Sequence, residues 1–240
     1  MNDIPDPAHN ALFPVLALPE SCLFPECSRE IVVSAPSGVQ AIEIAERSGR
    51  TLLVCGYRDL TTGQLHDVGT VATLGGASQL PDGFTVQLDG RRRARLVTIV
   101  RAGAILAEAE PLEEGDAGDH WGAAVEALAR YIHAHADLRA FLDRQRRSTE
   151  PMGWVNLACQ HLPITASARQ KLLDADASDR CLKIARGLDA LLKKEQTAER
   201  ARGAVSRPTV TKEPGARPVS SSPVAGRRER NRSTYTKLSL

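Results

Sequence analysis

The stretch from Leu65 to Leu74 reads LHDVGTVATL. Apolar and β-branched residues fill most of its length, which predicts a strand from Asp67 to Leu74. The segment Pro81-Asp82-Gly83 follows and is typical of a hairpin turn. Beyond that turn, apolar residues at 84, 86 and 88 alternate with polar ones, which is the period of a half-buried strand. These residues therefore predict a β-hairpin.

Further short strands are predicted on both sides of this hairpin. They cover residues 13–18, 30–33, 51–55, 93–97 and 104–107. The third is apolar over four consecutive positions, as expected for a strand that is buried on both faces. Many short strands separated by turns indicate a small barrel or a folded sheet.

One helix interrupts this β region, and helices dominate the chain after Gly115. Ser37 is the predicted N-cap of the first helix, and Gly49 is its predicted stop. After Gly115 the apolar residues recur at helical spacing, which predicts a bundle of short helices. The predicted N-caps of this region are Asp137, Thr149, Thr165 and Ser178.

Three blocks of the chain stand in a familiar order and spacing. They are LHDVGTVATL at 65–74, LPDG at 80–83 and GRRRAR at 90–95, and together they resemble the N-terminal region of the ATP-dependent protease Lon. Five further blocks fit the same family: FPVLAL at 13–18, LFP at 23–25, LLV at 52–54, EAEPLEE at 108–114 and QHLPIT at 160–165. The resemblance runs from about residue 12 to 196. It implies an α+β fold with a PUA-like β-barrel or pseudobarrel domain followed by an α-helical bundle.

The chain is predicted to contain four regions. They are a flexible lead at 1–11, a Lon N-terminal-like β domain at 12–115, an α-helical bundle at 116–198 and a disordered basic tail at 199–240. Residues 200–240 contain ten Lys or Arg and two Glu, so this segment carries +8 and the rest −6 of the net charge of +2. The tail has too few apolar residues to offset the entropy cost of ordering.

Catalytic motifs of the Lon family are not found in this sequence. A phosphate-binding loop requires Gly, four residues and then Gly-Lys-Ser or Gly-Lys-Thr, and the chain contains no Gly-Lys pair. The resemblance implies that the Ser-Lys dyad of the family's peptidase domain would lie after residue 240. We therefore expect a substrate-handling region without enzymatic activity and without a cofactor.

Membrane, disulfide and metal-binding roles are not favoured by the composition. No apolar run approaches the ~20 residues that a membrane span needs, and the acidic, Pro-containing N-terminus differs from a signal peptide. We therefore expect a cytoplasmic protein that does not bind a membrane. The cysteines are five in number and scattered, which is a poor disulfide framework. His133 and His135 are two residues apart and would point to different sides of a helix, so no metal site is expected.

Three apolar residues at predicted turns are candidates for contacting polypeptides: Phe24, Leu80 and Phe84. Apolar side chains at loop tips can form a polypeptide-binding patch. The alternative is that each side chain folds back over the core.

Two arginine-rich segments are candidates for contacting nucleic acid. The possible contacts are Arg91 and Arg92 in the β region and Arg227, Arg228, Arg230 and Arg232 in the tail. The alternatives are a solvated strand edge for the first segment and a solubilising end for the second. Aromatic residues that could stack on bases do not interleave with Arg91 and Arg92.

The resemblance implies a protein that recognises unfolded or tagged polypeptides. Such a protein could act as an adaptor or regulator of a full-length Lon or of a separate ATPase or protease, and the family's hexamer assembly raises possible self-association. One alternative is an RNA-associated module that uses the basic tail. Another is a decayed fragment of a Lon protease.

Overall fold

The computed structural model describes residues 12–19, 21–145 and 151–205. The strands are β1 Leu12–Leu18, β2 Ser28–Val33, β3 Thr51–Asp59, β4 Gln64–Leu65, β5 Val68–Leu80, β6 Gly83–Ala102 and β7 Ala104–Pro111. The helices are α1 Pro36–Arg47, α2 His120–Ala134, α3 Ala136–Gln145, α4 Pro151–His161, α5 Ala166–Asp174 and α6 Ala177–Val205. The predicted α+β class is therefore confirmed.

The described strands form one mixed sheet in the order β1-β7-β6-β5-β3-β4, with β2 paired to β6. The predicted hairpin is β5–β6, in which Leu80 pairs with Gly83 around a two-residue turn. An additional parallel pairing joins β1 to β3 and sets Val15 opposite Leu53. The path of pairings from β1 through β7, β6 and β5 to β3 thereby returns to its starting strand.

The central strand β3 separates two apolar cores. Leu53 and Cys55 belong to a small core inside the sheet, whereas Leu52 and Val54 belong to a larger core that continues into the helices. All four side chains have 0% exposure. Because alternate residues of a strand point to opposite faces, this run is apolar at every position and is buried on both sides, as the sequence predicts.

The hairpin β5–β6 contains two shifts of register. Val71 faces Arg92 and Ala72 faces Gly90, so Arg91 is an extra residue in β6. The second shift leaves Gly75 as an extra residue in β5. Each bulge changes the face of the sheet on which the following side chains lie. The alternation of apolar and polar residues in the sequence does not reveal this change.

The helix boundaries confirm some predicted signals and correct others. Thr165 caps α5, since its side chain accepts a hydrogen bond from Ala168 N, and Gly49 ends α1 with φ 86°. Ser37 is not the cap of α1, because Pro36 occupies the first turn and its fixed φ already suits a helix start. The carboxylate of Asp176, not Ser178, accepts from Asp179 N at the start of α6.

Of two other predicted caps, one does not mark a helix start and the other is not tested. Asp137 lies within the first turn of α3 and does not precede it, and Thr149 lies outside the described residues. The last helix also differs from the prediction, because α6 continues to Val205, past the predicted end of the bundle at 198. Residues 198–202 read AERAR, and Ala, Glu and Arg all have high helix propensity. Among the helices in the described part of the chain, none has the length and apolar composition of a membrane span.

Candidate functional site

The β domain meets the helices at a junction that contains a buried arginine. Arg93 of β6 is 2% exposed. Its guanidinium donates to the carbonyls of Leu173 (3.1 Å), Ala175 (2.7 Å) and Glu113 (3.1 Å), and its Nε lies 2.8 Å from Glu114 Oε1. Burial lowers the pKa of Arg93, and the charge of Glu114 opposes that shift. One side chain of the sheet therefore binds the corner between α5 and α6.

A second arginine reaches the same corner from α6. Arg180 has 0% exposure and donates to the carbonyls of Leu172 and Ala175, both at 2.9 Å, and to Asn156 Oδ1 at 2.6 Å. Its Nη2 lies 3.0 Å from Glu114 Oε2. Glu114 thus joins both guanidinium groups, and we call Arg93, Glu114 and Arg180 the buried ion cluster.

Two glutamines connect the helices to the backbone of the β domain. Gln160 of α4 donates to Cys22 O at 3.1 Å and accepts from Phe24 N at 3.0 Å. Gln170 of α5 donates to Val68 O at 3.0 Å. Both glutamines are buried, so these bonds satisfy backbone groups that water does not reach. The junction therefore holds the helices in one position on the sheet.

The helical region also forms a broad apolar groove of about 1090 Å³. We call this the helical groove. It lies between the end of α2, the start of α3 and the α4–α5 connection. Its lining residues are Tyr131, Ala134, His135, Ala136, Asp137, Leu138, His161, Pro163, Ile164, Thr165, Ala166, Ser167 and Arg169. Mostly apolar walls with a few polar groups are typical of a binding site.

A smaller and more polar cavity adjoins the helical groove at the junction. This basic pocket has a volume of about 510 Å³ and is lined by Pro19, Ser21, Arg29, Gln160, His161 and Arg169. His161 and Arg169 line the helical groove as well. Burial lowers the pKa of Arg29, and the positive charge of Arg169 adds to that shift. Burial, together with Arg29 and Arg169, also lowers the pKa of His161.

A further cavity of about 620 Å³ lies on the β domain and shares Pro19 with the basic pocket. Its walls include Val32 and Leu60, which are 68% and 58% exposed, together with Tyr57 and Arg101. We call this the sheet groove. Exposed apolar side chains beside a cavity also indicate a surface that can bind a partner.

The structure places the three predicted polypeptide contacts in different environments. Phe24 is wrong as a surface contact, because its side chain has 0% exposure and lies 5.8 Å from the guanidinium carbon of Arg180. The turn that carries Phe24 packs so closely on β6 that a Cβ at Gly90 would lie 2.2 Å from Phe24 O. Leu80 is 38% exposed at the hairpin tip. Phe84 is half-buried and packs against the core.

The predicted nucleic-acid contacts do not form a continuous basic strip within the described residues. Arg91 is exposed in the bulge and donates to Thr73 Oγ1 at 2.8 Å, and Arg92 is half-buried. Arg93, next in the sequence, is buried in the ion cluster. The tail residues Arg227, Arg228, Arg230 and Arg232 lie outside the described residues.

The histidines and cysteines form no metal centre among the residues that the structure describes. His135 stacks on Tyr131 with ring centroids 4.2 Å apart, and its Nε2 lies 3.3 Å from Glu195 Oε2. The five cysteines are free and buried. Burial raises the pKa of Cys22, Cys55 and Cys159 to about 12. Such thiols stay protonated at neutral pH and are poor nucleophiles.

Sequence reasoning missed the residues that build the junction and the two cavities. Arg93 and Arg180 are 87 positions apart, and the carbonyls of Leu173 and Ala175 lie 80 and 82 positions after Arg93. Arg29 and Arg169 carry no local motif that would bring them together. One signal was available in the block QHLPIT. In this block Gln160 crosses the junction, His161 lines both cavities and Thr165 caps α5.

Comparison with known proteins agrees with this architecture. The family model described as "ATP-dependent protease La (LON) substrate-binding domain" matches residues 13–189. The chain therefore belongs to the Lon substrate-binding domain family. The match covers the substrate-binding domain and not the ATPase or protease domains.

Individual relatives and solved structures are similar to the same part of the chain. Lon protease 1 of Thermus thermophilus is 29% identical over 187 residues, covering 71% of this chain and 23% of the relative. Lon protease 2 of Desulfotalea psychrophila is 26% identical over 178 residues, covering 69% and 23%. The chain thus spans about a quarter of their length.

Two solved structures share the fold. The N-terminal domain of the Mycobacterium avium complex Lon protease superposes with a TM-score of 0.61 at 17% identity, covering 75% of this chain and 98% of that chain. The Lon N-terminal domain protein of Xanthomonas campestris gives 0.52 at 21% identity, covering 72% and 96%.

Proposed function

We propose that this chain binds exposed segments of unfolded or tagged polypeptides without hydrolysing them, and that it acts as an adaptor or regulator of a protease. The observation that carries the proposal is the helical groove, which joins a long apolar wall to a charged end within a substrate-binding domain. Apolar segments are buried in native proteins and become exposed on unfolding. A groove of this composition therefore selects for the unfolded state.

The dimensions of the groove support weak and tolerant binding. Its volume of about 1090 Å³ accommodates several side chains of an extended segment. An extended segment loses conformational entropy when it docks, so each site contributes modest affinity. The exposed hairpin tip at Leu80, with Phe84 beside it, supplies a second apolar contact that is separate from the groove in sequence.

The partners follow from the same proposal. Bound polypeptides would be passed to a full-length Lon or to a separate ATPase or protease, and self-association would increase the avidity for extended segments. We place this activity in the cytoplasm. Neither ATP hydrolysis nor peptide hydrolysis is part of the proposal, because the family match lies within the substrate-binding domain.

Titration of a fluorescently labelled, denatured reporter protein tests the proposal. Ala136 is an exposed residue of the groove wall at the start of α3, and Ala136→Glu places a carboxylate against the bound apolar segment. We expect the affinity to fall about tenfold or more, since an unpaired carboxylate is costly to desolvate. Ala140→Glu on the same helix is the matched control, because Ala140 is exposed and does not line the groove.

The same titration distinguishes the other surfaces. Val32→Ser removes an exposed apolar side chain from the sheet groove, and Leu80→Ser does so at the hairpin tip. A loss of affinity confined to Val32→Ser would place the polypeptide in the sheet groove. No binding by the unmodified protein across a panel of denatured proteins would refute the proposed function. ATP or casein hydrolysis by the purified chain would refute its non-enzymatic part.

We also infer that the β domain is a PUA-like pseudobarrel, because the parallel β1–β3 pairing links the two ends of the pairing path. An experimental structure would test this description. RNA binding is the weaker alternative, since the bulge and the burial of Arg93 interrupt the run of arginines in β6. A mobility shift with single-stranded RNA that weakens with salt and with removal of residues 206–240 would support that alternative.

A further inference from the structure

Two arginines of the basic pocket interact with neutral acceptors only, within the part of the chain that the structure describes. Arg29 of β2 donates to the hydroxyl of Ser21. Arg169 of α5 donates to the carbonyls of Cys159 (3.3 Å) and Leu162 (3.0 Å). Neither guanidinium ion-pairs with a carboxylate of the described residues. The two positive charges therefore face one cavity in which no carboxylate of the described residues balances them.

The positive charges of this pocket act on one another. Arg169 disfavours the charged form of Arg29, and both arginines disfavour protonation of His161. Partial burial strengthens such repulsion, because the surrounding protein screens charge less well than water does. An anion in the pocket would relieve the repulsion and could accept hydrogen bonds from two guanidinium groups, which suit the planar shape of a carboxylate.

The basic pocket continues directly into the helical groove. His161 and Arg169 line both cavities, and from them the groove extends along the apolar residues Leu138, Pro163 and Ile164. A ligand that fills both must therefore carry an anionic end followed by apolar groups. The last residues of a polypeptide have this form when they are apolar, since the chain ends in a carboxylate.

Phosphate-bearing ligands fit this arrangement less well. A nucleic acid repeats its charge along its whole length and needs aromatic or basic groups along the groove. Here the large aromatic side chain of the groove wall, Tyr131, is 2% exposed and stacked on His135. The positive charges lie at the basic pocket, and the groove wall beyond them is mostly apolar, with Asp137 beside Leu138.

We propose that the basic pocket binds the carboxylate of a polypeptide whose neighbouring apolar residues lie in the helical groove. This inference rests on the proposed function and adds to it a preferred feature of the substrate. Arg29 and Arg169 are the anion-binding residues, with His161 between pocket and groove. The preferred substrate is an exposed apolar chain terminus, and an acidic side chain within an apolar segment supplies the same chemistry.

The experiment compares three labelled peptides in fluorescence anisotropy titrations with the full chain. The first ends in Leu-Ala-Leu with a free carboxylate, the second is its C-terminal amide, and the third is an amide with Asp as its last residue. We expect the free acid to bind about tenfold more tightly than the plain amide, as is typical of one charge-assisted contact. If the Asp amide matches the free acid, the pocket accepts side-chain carboxylates. If it does not, the pocket recognises the chain terminus.

Arg29→Gln removes one guanidinium while Arg169 keeps its bonds to Cys159 and Leu162. We expect this variant to lose most of the preference for the acid over the amide, since one of the two anion-binding guanidinium groups is gone. Arg186→Gln is the control, since Arg186 is exposed on α6 and lines neither cavity. A preference for the acid that keeps its full size in Arg29→Gln would overturn the inference.

The outcomes separate this inference from the proposed function. Equal binding of acid and amide by the unmodified protein overturns the carboxylate site alone. No binding of any peptide or denatured protein overturns both. Glu20 precedes Ser21 in the sequence and lies outside the described residues, so Glu20→Gln is tested as well. If the preference for the acid appears only in Glu20→Gln, the chain's own carboxylate is the occupant and the inference is overturned.

Discussion

The junction between the β domain and the helices contains two arginine pairs with different surroundings. Arg93 and Arg180 are almost completely buried and share the carboxylate of Glu114. Arg29 and Arg169 lie at the wall of an open cavity and donate to neutral oxygens only, among the described residues. An arginine thus has a structural role where a carboxylate of the same chain balances its charge. Where no described carboxylate balances the charge, the arginine is available to a ligand.

The comparison also shows why burial and charge must be considered together. A buried ion pair does not by itself stabilise a protein more than apolar packing would, yet removing one partner is costly. The half-buried Arg29 and Arg169 have the opposite character, since each could be removed without leaving a buried charge alone. Substitutions in the two pairs should therefore have different effects on folding and on binding.

The largest effect on stability is expected for Arg180→Ala. The substitution removes the arginine that donates to Leu172 O and one of the two arginines that donate to Ala175 O. It also removes a buried charge beside Glu114. We expect a loss of about 3–5 kcal/mol in the free energy of unfolding, which lowers Tm by roughly 6–20 °C in a domain of this size. Thermal denaturation measures the shift, and Arg186→Ala on the exposed face of α6 should leave Tm almost unchanged. Similar Tm values for both variants would show that the buried ion cluster is not structural.

A smaller loss is expected for Gln160→Leu. The substitution keeps the side chain's approximate volume but leaves Phe24 N and Cys22 O buried without partners. An unsatisfied buried polar group costs about 1–3 kcal/mol. Urea denaturation should show this loss, whereas Gln196→Leu at an exposed position of α6 should change stability by about 0.5 kcal/mol or less. An equal effect of the two substitutions would contradict the role assigned to Gln160.

Stability should also fall moderately as the pH decreases. His66 and His161 have pKa values below the ordinary value for histidine, chiefly because burial disfavours their charged forms. Asp67 and Asp174 oppose the shift at His66, Arg58 adds to it, and Arg29 and Arg169 add to the shift at His161. The folded protein therefore binds fewer protons than the unfolded chain, so Tm falls between about pH 7.5 and about pH 5.5. His161→Gln should reduce this dependence, and an unchanged dependence would assign it to other groups.

The smallest effect on stability is expected for Arg29→Gln. The substitution removes a hydrogen bond to Ser21 but also removes repulsion from Arg169. We expect the free energy of unfolding to change by about 0.5 kcal/mol or less. Chemical denaturation of this variant and of Arg180→Ala under the same conditions compares the two arginine pairs directly. A loss as large as that of Arg180→Ala would place Arg29 in the structural class and remove the distinction.

Local patterns in the sequence predicted much of the fold. The apolar run at 52–55, the turn at 81–83 and the capping residue Thr165 each depend on neighbours in the sequence, and all three are confirmed. The family resemblance added the order of the β domain and the helices. It is confirmed by the match to residues 13–189.

Features that depend on distant residues could not be predicted in this way. Phe24 stands at the start of a turn, which indicates exposure, but the close approach of that turn to Gly90 buries its side chain. Arg93 stands in a charged run, which indicates solvent, but the carbonyls that it binds lie 80 and 82 positions later. Spacing within one segment does not report such contacts, because they arise only when the helices pack on the sheet.

The candidate site was the least predictable part for the same reason. Its charged wall combines β2 with α5, and its apolar wall combines the ends of three helices. Of the predicted polypeptide contacts, Phe24 is wrong, and Leu80 and Phe84 stay predictions. The predicted nucleic-acid contacts also stay predictions, with those of the tail outside the described residues.

The hydrogen bonds from Arg93 to the corner between α5 and α6 constrain how a gene for this protein can recombine. A crossover near residue 115 would pair one parent's guanidinium with another parent's helical corner, whose carbonyls would have to coincide to within a hydrogen bond. Both parts should therefore pass to descendants together.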